Sequence, residues 1–130
     1  MPEETVLHRY ARAWQDGDLD GVLACYHPDL VIHYFGSSPL AGDHVGFEAA
    51  VTALAQATAR SARVLERVVD VLVGAERSAL VVEERLGVAG DEPGRVVQRV
   101  LVFRVEDARL RECWLFDEDQ RFVDALWSTT

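Results

Sequence analysis

Lysine is missing from this sequence. All 13 basic residues are arginine, spread from Arg9 to Arg121, against 22 acidic ones, for a formal net charge of −9. Binding to nucleic acid needs clustered cations on one face, so that class of partner is excluded. The exclusive use of arginine fits the codon bias of a GC-rich bacterial genome. No apolar run approaches the ~18 residues of a membrane span, so no membrane partner is expected. The chain opens Met1-Pro2-Glu3-Glu4. A secretory signal needs a basic start and then an apolar stretch, so a cytoplasmic protein is expected. Only Cys25 and Cys113 are present, far apart, and a reduced pair suits that compartment. There is no C-x-x-C, and His27 and His33 lie six apart, so the common metal-ligand spacings are absent. Gly36-Ser37-Ser38 lacks the lysine of a phosphate loop. No metal or other cofactor is therefore expected. Linkers, repeats and low-complexity stretches are also missing, and residues 1–130 suit one domain.

What remains is a chain with 49% apolar residues, enough to bury a core without disulfides. A first helix is expected from Glu3 to Gln15, with Val6, Tyr10, Ala13 and Trp14 on one face. Gly17 stops it, and Asp18 caps a second helix, Leu19 to Tyr26. His27-Pro28-Asp29 breaks that helix, and Leu30 to Tyr34 reads as a strand. Gly36 to Pro39 is a turn by composition. A third helix runs from Val45 or Gly46 to about Arg60, with Phe47, Ala50, Val51, Leu54 and Thr58 as its buried stripe. Asp43 reads as a cap or turn former, and His44 as a surface residue of the loop. Strands follow at Arg63–Val73, Ala79–Val88, Arg95–Val105 and Arg109–Phe116, with a turn at Gly90–Gly94. Asp119 caps a last helix, Gln120 to Trp127. The fold class is α+β, a curved, mostly antiparallel sheet wrapped around three N-terminal helices. Such a sheet leaves a hollow beneath the helices, where small-molecule sites gather.

Three strings carry a resemblance: Arg9-Tyr10 with Asp16-Gly17-Asp18-Leu19-Asp20-Gly21-Val22; Gly36-Ser37-Ser38-Pro39-Leu40-Ala41-Gly42 with Gly46; and Glu112-Cys113-Trp114 with Asp119-Gln120 and Trp127. In these the chain resembles the nuclear-transport-factor-2-like superfamily, which includes ketosteroid isomerases, SnoaL-like polyketide cyclases and limonene-epoxide-hydrolase-like enzymes. The resemblance implies a cystatin-like cone with an internal pocket. It places the isomerase tyrosine on Tyr10 and the base aspartate on His33 or Tyr34, according to a one-residue gap. The protonated acid of the isomerases falls on Leu101. The cyclase aspartate falls on Glu118, flanked by Asp117 and Asp119.

The candidate site is read from these positions and from periodicity. His33, with an ordinary pKa of about 6.5, is the candidate acid or base. Tyr10 is the candidate hydrogen-bond donor and second catalytic residue. Trp14 lies one turn from it, and Tyr26 and Tyr34 join the wall. On the strand from Arg95, alternation puts Arg99, Leu101 and Phe103 inward. A hairpin centred near Asp91 would set Glu83 opposite Arg99, as a buried arginine needs a partner. The alternative is that Leu80, Val82 and Leu86 face inward, leaving Glu83 and Arg85 solvated. On the last strand Glu112, Trp114 and Phe116 are expected to face the pocket.

The expected function is binding of a small hydrophobic metabolite, with cofactor-free isomerisation or polyketide-cyclase-like chemistry by His33 and Tyr10. Alternatives are a non-catalytic small-molecule binder and an epoxide-hydrolase-like enzyme, the latter requiring Arg99 between two carboxylates. Apolar residues on the outer sheet face predict a homodimer.

Overall fold

The computed structural model describes residues 5–88 and 94–128. The start of the expected first helix and all but Gly94 of the expected turn at 90–94 lie outside the described residues. Helix α1 spans Val6–Gln15, α2 Leu19–Ala24, α3 Phe47–Ser61 and α4 Gln120–Trp127. Three of these starts are capped by oxygen side chains. Thr5 accepts from the His8 N–H, Asp18 from Gly21 and Asp119 from Phe122. No described helix is long and apolar enough to cross a membrane.

The strands are β1 Tyr26–Tyr34, β2 Gly42–Val45, β3 Val64–Val73, β4 Ser78–Leu86, β5 Arg95–Glu106 and β6 Arg109–Asp117. They form one sheet in the order β2-β1-β6-β5-β4-β3, parallel between β1 and β6 and antiparallel elsewhere. The sheet does not close into a barrel: β2 and β3 remain as its edges. The expected α+β architecture with three helices ahead of the meander is therefore found.

Two local readings change. Tyr26 begins β1 rather than ending α2, because the strand tolerates Pro28 across a register shift between Tyr26 and Val31. Residues 42–45 form a short strand paired with β1, not a loop.

Alternation decides which side chains meet the helices. Leu30, Ile32 and Tyr34 of β1 face inward, as do Leu80, Val82, Glu84 and Leu86 of β4, and Val97, Arg99, Leu101 and Phe103 of β5. From β6 the inward set is Cys113, Leu115 and Asp117. Helix α3 lays Ala50, Ala53, Ala57 and Ser61 against the core. These small side chains let the helix sit close to its neighbours. Its larger residues Val51, Leu54 and Thr58 are left to a different task.

Candidate binding cavity

A cavity of about 560 Å³ lies between α1, α2 and α3, with Leu101 of β5 in its wall. Tyr10, Ala13 and Trp14 come from α1, one helical turn bringing the two rings to one side. Val22 and Leu23 come from α2, and Val51, Leu54, Ala55, Thr58 and Ala59 from α3. Leu19 stands at the rim and is 67% exposed. Volume and apolar lining both fall in the range of small-molecule sites.

The polar groups in this lining are few. The Tyr10 and Tyr26 hydroxyls share a hydrogen bond of 2.9 Å, and Phe103 packs edge-on to Tyr10 with centroids 5.5 Å apart. Burial pushes the pKa of both phenols well up, opposed at Tyr10 by the hydrogen bond with Tyr26 and at both by Arg63. Both therefore stay protonated, and one hydroxyl proton remains after their mutual bond is made. Arg63, at the start of β3's approach, completes the polar set together with Thr58 and Asp18. Sequence reasoning did not single out Arg63; the only signal was its place between the end of α3 and the start of β3.

The other candidates divide between the core and the opposite side of the sheet. Tyr34 points inward but does not line the cavity. Its ring packs on Trp127 at 4.8 Å, its hydroxyl has no hydrogen-bond partner, and burial pushes its pKa up to about 12. Arg99 is fully buried: its guanidinium donates to both oxygens of Asp117, at 2.5 and 3.2 Å, and to Glu84 Oε1 at 3.2 Å. Arg99 thus does have two carboxylate partners, but Glu83 is not one of them. The hairpin register sets Val82 opposite Arg99 and Glu83 opposite Gln98. A shift of one residue exchanges the faces of a strand, so Glu84 turns in and Glu83 turns out to pair with Arg67. Arg85 likewise faces out and pairs with Glu66. The arginine between two carboxylates is the pattern asked of an epoxide hydrolase. Here none of the three side chains lines the cavity, and each is 2% exposed or less, so the trio braces the core.

His33 is on the outer face. It follows inward Ile32 and precedes inward Tyr34, so alternation carries it away from the cavity. Its ring stacks on Trp114 with centroids 5.3 Å apart, and its Nδ1 lies 2.7 Å from Asp43 Oδ1 and its Nε2 2.5 Å from Glu112 Oε2. Ionised carboxylates only accept, so the doubly protonated ring is the form that satisfies both. Burial alone would lower the His33 pKa, but the bonds to Glu112 and Asp43 raise it overall. Burial would likewise raise Glu112, but bonds from His33 and Arg104 hold it below the usual carboxylate value. Asp43 is therefore a strand residue paired with His33 rather than a cap, and His44 is half-buried, bonding to Leu40 O at 2.7 Å. Glu112, Trp114 and Phe116 also face outward. The register shift between Arg104 and Val105 breaks the alternation that would have aligned them with buried Leu110.

A third histidine, His27, lies 3.6 Å from Glu106 and 3.5 Å from Asp107. The Asp29 N–H donates to its Nδ1 at 3.0 Å, so the neutral ring carries its proton on Nε2, facing the carboxylates. A metal ligand has the reverse arrangement, with the far nitrogen donating. This cluster ties β1 to the β5–β6 turn.

The SnoaL-like domain family matches residues 7–113. The chain belongs to that family. Solved structures share its fold. A protein of unknown function with a cystatin-like fold from Xanthomonas campestris superposes with a TM-score of 0.84 at 25% identity, over 95% of this chain and 96% of that one. A putative polyketide cyclase from Sinorhizobium meliloti gives 0.66 at 19% identity, over 89% and 95%. TerC, co-crystallized with polyporic acid, gives 0.75 at 15% identity, over 93% and 95%. No curated protein matches the sequence.

Proposed function

We propose that this SnoaL-like chain binds a small hydrophobic molecule in the cavity roofed by α1, α2 and α3. The observation that carries this reading is the cavity itself: about 560 Å³ of space with walls of Trp14, Leu23, Leu54 and Leu101 and a phenol pair set among them. Apolar walls with a few placed donors bind by burial and orient by hydrogen bonding. Relatives of the same fold that carry cyclase names, or that crystallise with an organic acid, support it. Ala55 faces the cavity from a solvent-exposed position on α3, so Ala55→Trp fills the space without disturbing the core. The variant should keep its fold by circular dichroism and lose binding of 2-naphthamide in a calorimetric titration. Unchanged binding would contradict the reading.

A second reading has one observation in its favour. The Tyr10–Tyr26 pair lines the cavity and keeps one phenol proton beyond its mutual bond, the kind of donor that holds a substrate oxygen as negative charge grows on it. That is the donor half of a cofactor-free isomerase or cyclase. His33 is not its base, because the sheet lies between the two groups. The test is deuterium exchange at the carbon beside the ketone of 2-tetralone in D2O. Exchange above buffer that falls in Tyr10→Phe supports catalysis; exchange at the buffer rate in the native protein leaves binding alone.

The outer sheet face is proposed as the seat of a second copy of this chain. Val81, Val100 and Phe116 align across β4, β5 and β6, beside the row Ala79, Val102, Trp114 and His33. Phe116 is 48% exposed and stacks on Phe35. An apolar row of this kind on a sheet face needs cover.

A further inference from the structure

The polar groups of the cavity are unbalanced, and the imbalance describes the ligand. Arg63 lines the cavity with a side chain 17% exposed. Its Nε donates to Thr58 Oγ1 at 3.0 Å, and that hydroxyl in turn donates to Leu54 O. The two Nη nitrogens have no hydrogen-bond partner among the described residues. Arginine offers donors and no acceptor. The Tyr10–Tyr26 pair has one further proton to give. Of the acceptors in the lining, Thr58 Oγ1 is taken by Arg63, and Asp18, at the rim where it caps α2, spends Oδ1 on the Gly21 N–H. These donors face the cavity, where a ligand acceptor can meet them, rather than the closed core.

Charge sharpens this. Asp117 and Glu84 Oε1 are taken by Arg99. The remaining Glu84 oxygen, Oε2, has no hydrogen bond and lies 3.9 Å from Arg63 Nε. It holds the guanidinium in place from the Nε side and leaves the Nη edge open. An anion at that edge stands closer to the guanidinium than to Glu84, and attraction falls off with distance. A planar fork of two Nη groups matches the two oxygens of a carboxylate.

Resting on the binding reading above, we infer that Arg63 is the anchor of the cavity and that its ligand is an amphipathic acid. A carboxylate or enolate oxygen sits on the Arg63 Nη edge, and an apolar ring or chain fills the space toward Trp14 and Leu101. In a chain of net charge −9, Arg63 is, among the described residues, the one arginine in the cavity lining, with Glu84 on its Nε side.

The test uses two probes of one shape, 2-naphthoate and the neutral 2-naphthamide, titrated calorimetrically into the intact protein at pH 7. The native protein should bind the naphthoate roughly tenfold to a hundredfold more tightly, the range for a hydrogen bond to a charged group. Arg63→Met should collapse that ratio to near one, and Arg63→Lys should retain part of it, which keeps the test open if the methionine variant fails to fold. Equal affinities in the native protein would overturn the acid assignment and leave the cavity reading standing. A ratio that survives in Arg63→Met would also overturn it. Binding of neither probe would overturn both.

Discussion

At the scale of single residues, faces decide function. His33 has the chemistry of a proton carrier, yet its neighbours Ile32 and Tyr34 occupy the inward positions of β1. That alternation was present in the sequence as Leu30, Ile32, Tyr34 against Val31, His33. What hid it was the attraction of a histidine near a family catalytic position. Of the two faces the sequence left open for β4, the one with Leu80, Val82 and Leu86 inward is found, and it carries Glu84, not Glu83, to Arg99. His33 now serves stability. Its pKa is raised in the fold, so its contribution is full below about 6.5, the unfolded value, and is lost as pH rises through the folded value. Glu112 is lowered, so its contribution is present above the ordinary carboxylate range and is lost as pH falls through its folded value. Urea midpoints of native protein and His33→Gln should differ most between those two limits and converge as pH rises through the raised His33 value; a gap that widens there would contradict the ion pair. Arg99→Met should cost about 3–5 kcal/mol in urea unfolding, because it strands two buried carboxylates. A cost below about 1 kcal/mol, the value of an exposed pair, would show the trio to be solvated. Tyr34→Phe removes a buried hydroxyl with no partner, so its midpoint should hold or rise; a clear fall would reveal a partner.

At the scale of elements, α3 has two faces with separate duties. The stripe Ala50, Ala53, Ala57 and Ser61 is in the core, while Val51, Leu54, Ala55 and Thr58 face the cavity. The sequence reading took Phe47, Ala50, Val51, Leu54 and Thr58 as the buried stripe; of these only Ala50 is in the core, while Phe47 and Thr58 are exposed, because the larger residues sit beside the core stripe within the wide face of an amphipathic helix. Helix packing and cavity lining cannot be separated by period alone; residue size separates them. Ala57 is fully buried, so Ala57→Leu should overpack and destabilise by about 1–3 kcal/mol. A neutral result in thermal unfolding would mean that α3 can move away from its neighbours. Caps were legible, because Asp18 and Asp119 each precede a periodic run. Strand β2 was not, because four residues at a sheet edge carry too little pattern.

At the scale of the whole molecule, layering was written in the order of periodic segments, and the family strings agreed with it. Element order therefore fixed the cone, the helical roof and the place of the hollow. It could not fix which half of each strand faced that hollow, since Trp114, Phe116 and their neighbours are as apolar as the lining. On the outer face those residues form the surface proposed above for a second copy. Light scattering at micromolar concentration should report a dimer for the native chain and a monomer for Phe116→Glu. A native monomer would remove the proposed second copy.

The three tryptophans separate the two sides of the sheet. Trp14 lines the cavity, Trp114 stacks on His33 outside, and Trp127 is buried against Tyr34. Indole N–H signals followed by NMR during titration with 2-naphthoate therefore locate the bound ligand directly. The Trp14 signal should move with saturation while the Trp114 signal stays in place. Movement of Trp114 with Trp14 unchanged would put the ligand on the wrong side of the sheet and contradict the cavity as the binding site.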